Sequence, residues 1–326
     1  MQNNIETIIL QTTKASQIKE VEIIQSLWSG YGKIIRLAIS GVTTYDTLIL
    51  KHIVLPSQQN HPRGWNTNIS HQRKLKSYQI EMNFYQYFAK KCIDNCRVAT
   101  CYHSETLGDE QLILLEDLDN SGFPVRKSAL SIKEVKVCLK WLANFHAAFL
   151  NTSPKGLWKV GTYWHLNTRP DEFEAMQNKS LKAAAHQIDD LLNNCNYQTL
   201  VHGDAKVANF CFSENGEQVA AVDFQYVGGG CGIKDVVYLL GSCLDEETCE
   251  FFEKELLAYY FSELKIALIH HQKESTFVAL EKEWSNLFAV AWTDFSRFLN
   301  GWMPTHQKNN NYTKRLEIET LHLLKN

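Results

Sequence analysis

No stretch of this 326-residue chain approaches the roughly 18 consecutive apolar residues that a membrane helix needs, so membrane insertion is not expected. The opening residues MQNNIETIIL lack a basic region followed by a long apolar core, and a secretory leader is not expected either. Charge of one sign is not in excess. The formal net charge of -3 gives no long-range attraction to nucleic acid or to an anionic bilayer. Cysteine is present but not as a framework: nine is an odd number, and the residues are scattered through segments that otherwise read as core. Reduced thiols in a cytoplasmic protein are therefore expected. Cys92, Cys96 and Cys101 lie close together but lack the paired spacing of a structural zinc module. No Gly-Lys-Ser/Thr follows the Gly228–Gly230 run, which excludes a phosphate loop of that type there.

What is present suffices for two lobes with a sizeable core, since 44% of residues are apolar and 21% charged. The most informative stretch is VHGDAKVANFCFSENGEQVAAVDFQYVGGG, Val201 to Gly230. It holds His202, Asp204 and Asn209 in an H-x-D-x-x-x-x-N run, then a second acid in Asp223-Phe224. Kinase-type phosphotransferases use a catalytic loop and a metal-binding acid in this order and spacing. Asn215-Gly216 between two apolar runs predicts a two-residue hairpin turn. In that register Asn209 lies opposite Val222, next to Asp223. One amide oxygen and one carboxylate so placed suit a hard cation such as Mg²⁺. Asp204 is then left to accept the proton of an attacking hydroxyl. Lys206 either neutralises charge on the transferring phosphate or is a solvated loop lysine.

Upstream, residues 14–29 are expected as a short helix. Gly30 and Gly32 in GYGKIIRLAIS form either a turn whose backbone N–H groups approach phosphate or a plain hairpin turn. TLILKHIVL, Thr47 to Leu55, is strand-like and puts Lys51 on the same face as Ile49, Ile53 and Leu55. Residues 72–90 repeat apolar side chains at steps of three and four, and Glu81 falls on that stripe between Tyr78 and Tyr85. A misplaced cation on one element and a misplaced anion on the next would relieve each other by pairing. Residues 58–71 are expected as a mobile loop. LILLEDLD, Leu112 to Asp119, predicts a buried strand ending in acids, with a domain boundary near Glu116.

Downstream, helices are expected over 132–150, 171–193 and 284–299. His146 is expected in the core with one hydrogen bond, and Asp235 as a structural anchor at a helix start. Trp164, Trp292, Asp294 and Trp302 either are core and surface aromatics with an ion pair, or line an acceptor pocket. Rings beside an acid would suit a cationic or amphipathic alcohol.

SYQIEMNFY (77–85), LLEDL (114–118), LANFHAAF (142–149), VHGDAKVANF (201–210), VDFQ (222–225), DVVYLL (235–240) and DFSRFLNGW (294–302) together resemble the aminoglycoside phosphotransferase and choline kinase-like group of the protein-kinase-like fold. The ecdysteroid-kinase-like branch is the most similar. Ala205-Lys206 stands where insect members usually carry Leu-Trp. The resemblance implies an α+β, two-lobed fold: a small N-terminal β-sheet lobe, residues 1–116, and a larger, mainly helical C-terminal lobe, residues 117–326. It implies ATP and Mg²⁺ as cofactors and a small-molecule alcohol as acceptor. Lys51 and Glu81 would pair over the nucleotide, and the backbone from Glu116 to Leu118 would meet adenine. Asp204 would be the base, and Asn209 and Asp223 would hold the metal. A protein kinase is the alternative, against which stand HGD in place of HRD and the lack of Ala-Pro-Glu after Asp223. A catalytically silent nucleotide-binding regulator is the other.

Overall fold

The computed structural model describes residues 3–27, 30–42, 44–54, 68–92 and 94–325. Its N-terminal part is a five-stranded antiparallel sheet in the order β1-β2-β3-β5-β4. The strands are β1 (Gln17–Ser26), β2 (Gly32–Ser40), β3 (Thr47–Val54), β4 (Cys101–Leu107) and β5 (Glu110–Glu116). Strand alternation gives the sheet two different faces. Ile35 and Leu37 of β2, Leu48 and Leu50 of β3, and Leu112 and Leu114 of β5 pack with Ile5 and Ile9 of helix α1 (Asn3–Thr13). The intervening residues Ile34, Arg36, Ile49 and Lys51 face a cavity beneath the sheet.

The helix expected over 14–29 is instead the edge strand β1, paired with β2 from Gln17↔Ser40 to Ser26↔Lys33 with two bulges. Val21, Ile23 and Ile24 remain exposed there. Local spacing suggested a helix. Pairing of the β-branched run along β2 overrides it, as tertiary context commonly does.

Helix α2 (Asn68–Tyr87) crosses between the sheet and the helical part. Its buried residues Met82, Phe84 and Tyr85 join the main core. Of the loop expected over 58–71, residues 58–67 lie outside the described residues, and 68–71 form the first turn of α2.

The C-terminal part is mainly helical. Helix α3 (Ile132–Phe149) starts on a capping box, with the Ser131 side chain accepting from Glu134 N and the Glu134 side chain accepting from Ser131 N. It buries Val135, Leu139, Leu142, Phe145 and Phe149, an apolar stripe at steps of three and four. The helix expected over 171–193 divides into α4 (Pro170–Ala175) and α5 (Lys179–Asn193). Asn178 caps α5 by accepting from Leu181 N, so a new helix starts where one was expected to continue. The helix expected over 284–299 likewise divides, at Leu287, into α8 (Phe277–Asn286) and α9 (Phe288–Trp302). Helices α6 (Ile233–Cys243), α7 (Glu246–His270) and α10 (Asn311–Leu323) complete the core. Two short strand pairings carry the loops of the site: β6 (Thr199–Val201) with β9 (Gly228–Gly230), and β7 (Phe210–Phe212) with β8 (Val219–Ala221).

None of the nine cysteines is in a disulfide. Among the described residues, no cluster of three or more His, Cys, Asp and Glu could hold a metal, and no helix is long and apolar enough to cross a membrane.

Candidate active site

The loop after β6 is held by buried donors and acceptors. The Asp235 carboxylate, wholly buried on α6, accepts from His202 N at 2.6 Å and from Gly203 N at 2.9 Å. It also pairs with His146 Nε2 at 3.1 Å, and His146 Nδ1 meets Tyr260 Oη at 2.8 Å. His146 thus makes two hydrogen bonds where one was expected. Its acidic partner lies 89 residues away in sequence, outside any local spacing rule. Gly203 has φ +78°, and a Cβ there would lie 2.1 Å from Tyr226 O. Glycine is required by both the dihedral and the close approach. The Asp204 N–H donates to His202 Nδ1 at 3.3 Å, so the ring's Nε2–H donates to Val222 O at 3.0 Å. One imidazole therefore ties the HGD loop to the strand end before Asp223.

The hairpin register is the one expected. Phe210 pairs with Ala221 and Phe212 with Val219, and Val222 N donates to Asn209 O at 3.0 Å. The turn is wider than two residues: Ser213 N bonds to Gln218 O, and Gly216 N bonds back to Ser213 O. The extra residues are shared equally by the two strands, so the register survives. Asp223 itself sits at φ +68°, a left-handed conformation that costs a non-glycine residue about 1–3 kcal/mol. The next two residues hold it there. Phe224 stacks on Phe84 of α2 with centroids 3.9 Å apart, and Gln225 Oε1 accepts from Lys74 Nζ at 3.0 Å and Ser77 Oγ at 3.2 Å.

This clamp brings three elements together. Lys51 Nζ of β3 is 2.6 Å from Glu81 Oε2 of α2 and 3.6 Å from Asp223 Oδ1. Lys51 and Glu81 are 4% and 2% exposed, so the pair is dry. Burial pulls the Lys51 amine down, but Glu81 and Asp223 outweigh it and hold it charged. Burial pushes the Glu81 carboxyl up. With an amine at 2.6 Å the ion pair governs, and both groups are charged. Burial pushes Asp223 up as well, but Lys51, Lys74 and Lys206 together bring it below the usual carboxylate value.

Asp204 Oδ2 accepts from Lys206 Nζ at 3.0 Å and from Asn209 Nδ2 at 3.0 Å, and Asn209 Nδ2 also donates to Asp204 O at 2.7 Å. Asp204 Oδ1 is buried with no hydrogen-bond partner. Burial pushes this carboxyl up, and Lys206 only partly brings it back. The Asn209 amide nitrogen is committed to Asp204, which leaves its Oδ1 as the oxygen available to a cation.

Lys51, Glu81, Asp204, Lys206, Asn209 and Asp223 all line one cavity of about 900 Å³. At the sheet end it is lined by Glu116 and Leu118. Glu116 is tied to Arg97 and to Thr100 N, and Arg36 bonds to Glu22, Asp117 and Asp119. At the far end it is lined by Tyr163, Tyr226, Phe298 and Trp302 with Arg73 and Arg169.

Several expected site residues are not on it. Gly30 and Gly32 belong to the β1–β2 turn, closed by Leu27 N to Gly32 O at 2.8 Å. Gly32 is needed because a Cβ would lie 2.0 Å from His52 O, a strand contact and not a phosphate one. Trp164 is fully buried and donates Nε1 to Asp294 Oδ2 at 2.9 Å. Asp294 is fully buried beneath it, bonded to Arg297 at 2.8 Å with Lys234 at 3.8 Å. Trp292 packs on Tyr312 and donates to Thr313 Oγ1. Of the four proposed acceptor residues only Trp302 reaches the cavity, stacked on Phe298. Helical spacing could not say which side of α9 was covered by α10.

Lys74 is one cavity residue without a role in the expectations above. It lies seven residues before Glu81, two turns away on the same face of α2. Its Nζ sits 4.8 Å from the Tyr78 ring centroid, and burial pulls the amine down to about 8, with Asp223 opposing. The spacing from Glu81 would have found it. Arg169 stands in irregular chain with no such signal.

A sheet over a helical body, with a buried Lys–Glu pair facing an HGD loop and a second acid across one cavity, defines the class of kinase-like small-molecule phosphotransferases. The chain belongs to the ecdysteroid kinase-like family, whose sequence profile matches residues 43–156 and 157–273. No curated protein matches it in sequence. Solved structures share the fold. A choline kinase from Cryptosporidium parvum Iowa II aligns over 99% of this chain and 96% of its own, with TM-score 0.54 and 10% identity. The amicoumacin kinase hAmiN, in complex with AMP-PNP, Ca²⁺ and Ami, aligns over 99% and 100%, with TM-score 0.51 and 14% identity.

Proposed function

We propose that this protein transfers the γ-phosphoryl group of ATP to a hydroxyl of a small molecule, with Asp204 as general base. The observation that carries this is Asp204 Oδ1: a buried carboxylate oxygen without a hydrogen-bond partner, on the wall of the same cavity as Lys51 and Asp223. A hydroxyl placed there would be its partner, and its proton would pass to Oδ1 as the oxygen attacks phosphorus. Burial holds the carboxyl above its usual value, which makes it a better proton acceptor near neutral pH.

Lys51, kept charged by Glu81, would hold the nucleotide phosphates, and Lys206 would balance charge as it moves from Asp204 to the phosphoryl oxygens. The nucleotide base would lie against the backbone of Glu116 to Leu118, with the boundary between lobes at Glu116. Asn209 Oδ1 and Asp223 Oδ1 are hard oxygens on one side of the cavity, and Asp223 Oδ1 has no hydrogen-bond partner. They would hold Mg²⁺, which would neutralise phosphate charge when bound. Gly30 and Gly32 would shape the turn above the nucleotide without touching phosphate.

The test is ADP release over a panel of amino-alcohols, sterols, sugars and aminoglycosides. We expect turnover with at least one acceptor, and a loss of about 10²–10⁴-fold in Asp204→Asn. Undiminished turnover in that variant would overturn the assignment of the base.

A further inference from the structure

The far end of the cavity has a charge that differs from what the sequence suggested. Aromatic residues beside Asp294 would suit a cationic acceptor, but Asp294 is buried beneath Trp164 and neutralised by Arg297. The groups that reach the cavity there are Tyr163, Tyr226, Phe298, Trp302, Arg73 and Arg169. The carboxylates on the cavity wall have cations of their own. Glu116, Asp117, Asp119 and Glu22 are tied to Arg97, Arg36 and Arg126 at the sheet end, Glu81 and Asp223 face Lys51, and Asp204 pairs with Lys206.

The two arginines are incompletely balanced. Arg169 donates Nε to Tyr163 O at 2.7 Å and NH1 to Glu172 Oε1 at 3.1 Å, and Glu172 is off the cavity wall. The Arg169 guanidinium lies 5.6 Å from the Tyr163 ring centroid and 5.3 Å from that of Phe298. Arg73 donates NH1 to Thr168 O at 2.6 Å and NH2 to Ser70 Oγ at 3.2 Å, both neutral acceptors. Among the described residues no carboxylate lies within ion-pairing distance of Arg73. Burial and the nearby Arg169 disfavour its charge and outweigh the opposing effects of Tyr226 and Glu172. Two guanidiniums facing one cavity across aromatic walls are costly unless something negative comes between them. Each guanidinium has five donors, so both keep hydrogen-bonding capacity beyond these contacts.

We propose that the acceptor is an apolar alcohol bearing an oxyanion, a carboxylate or sulfate, which Arg73 and Arg169 bind while the aromatic walls hold its body and Asp204 takes its hydroxyl. This rests on the phosphotransferase reading above. Guanidinium groups match planar oxyanions through paired hydrogen bonds. The same pair repels quaternary ammonium groups and polyamines, so choline-like and aminoglycoside-like acceptors are disfavoured by charge and not by size.

The test uses three matched probes: a hydroxymethyl-naphthalene carrying a carboxylate, a carboxamide or a trimethylammoniomethyl group. Their affinities are measured by calorimetry on the full chain with AMP-PNP and Mg²⁺ present. The carboxylate is expected to bind at least about tenfold more tightly than the carboxamide, with the ammonium probe weakest. The preference falls below about threefold in Arg73→Met and is partly restored in Arg73→Lys, which keeps the charge but not the fork. It also weakens as salt is raised. The proposal is overturned if the ammonium probe binds as tightly as the carboxylate, if no probe binds, or if the preference survives in Arg73→Met. AMP-PNP binding in the wild type, and its loss in Lys51→Met, reports on the kinase reading separately, so either can fail while the other stands.

Discussion

Asp204, the proposed base, and Lys206 form an ion pair on the cavity wall, and their coupling has a sign that can be read in kinetics. Burial raises the Asp204 carboxyl, and Lys206 opposes that rise. An active base must be deprotonated, so the acid limb of kcat/KM follows its pKa. Removing Lys206 removes the opposing charge, and the carboxyl rises further. Lys206→Met is therefore expected to move the acid limb to higher pH, measured as a pH–rate profile against wild type. A limb that stays in place, with only its height reduced, would mean that Lys206 serves phosphate alone. Lys51 and Glu81 show the same logic at depth. Each is awkward on its own element, and at 2.6 Å each accounts for the other.

Helix α6 matters through a single side chain. Asp235 accepts two backbone N–H groups of the HGD loop and faces His146, all of it buried. It does not reach the cavity, so it acts on the chemistry by holding Gly203 and Asp204 in place. Asp235→Ala would leave those donors unsatisfied. Each buried hydrogen bond to a charged group is worth about 1.5–3 kcal/mol, so a loss of at least about 3 kcal/mol is expected in urea unfolding. kcat should fall more than KM rises, because the loop that carries the proposed base loosens. Helix α2 has a comparable place on the other side. Phe84, Ser77 and Lys74 clamp Phe224 and Gln225, and so hold Asp223 against Lys51.

Across the whole molecule, the proposed nucleotide site draws on the sheet, on α2 and on the β7–β8 hairpin at once. A ligand that binds there stabilises the folded chain by mass action, by about 2.7 kcal/mol at a hundred times its Kd. AMP-PNP with Mg²⁺ should therefore raise the melting temperature, and chelation of the metal should reduce the shift. Lys51→Met should abolish it. An unchanged melting temperature at saturating AMP-PNP would count against a nucleotide site in this cavity.

The sequence by itself determined the parts whose geometry is local. The hairpin register from Phe210 to Ala221 follows from side-chain alternation about Asn215-Gly216, and it survives a turn wider than two residues. Lys51 and Glu81 were legible because burying either alone on an apolar face is costly, and the stripe of α3 because its spacing is regular. Where several elements compete for one segment, only the tertiary structure decided. β1 is a strand because β2 offers it a partner, and α9 turns Trp292 and Asp294 inward because α10 and Trp164 cover them. Arg73 comes from α2 and Tyr163 and Arg169 from the irregular stretch before α4, and no period or motif links the two. The reacting end of the cavity is thus written in short-range spacing, while the acceptor end, with its charge, exists only where distant elements pack.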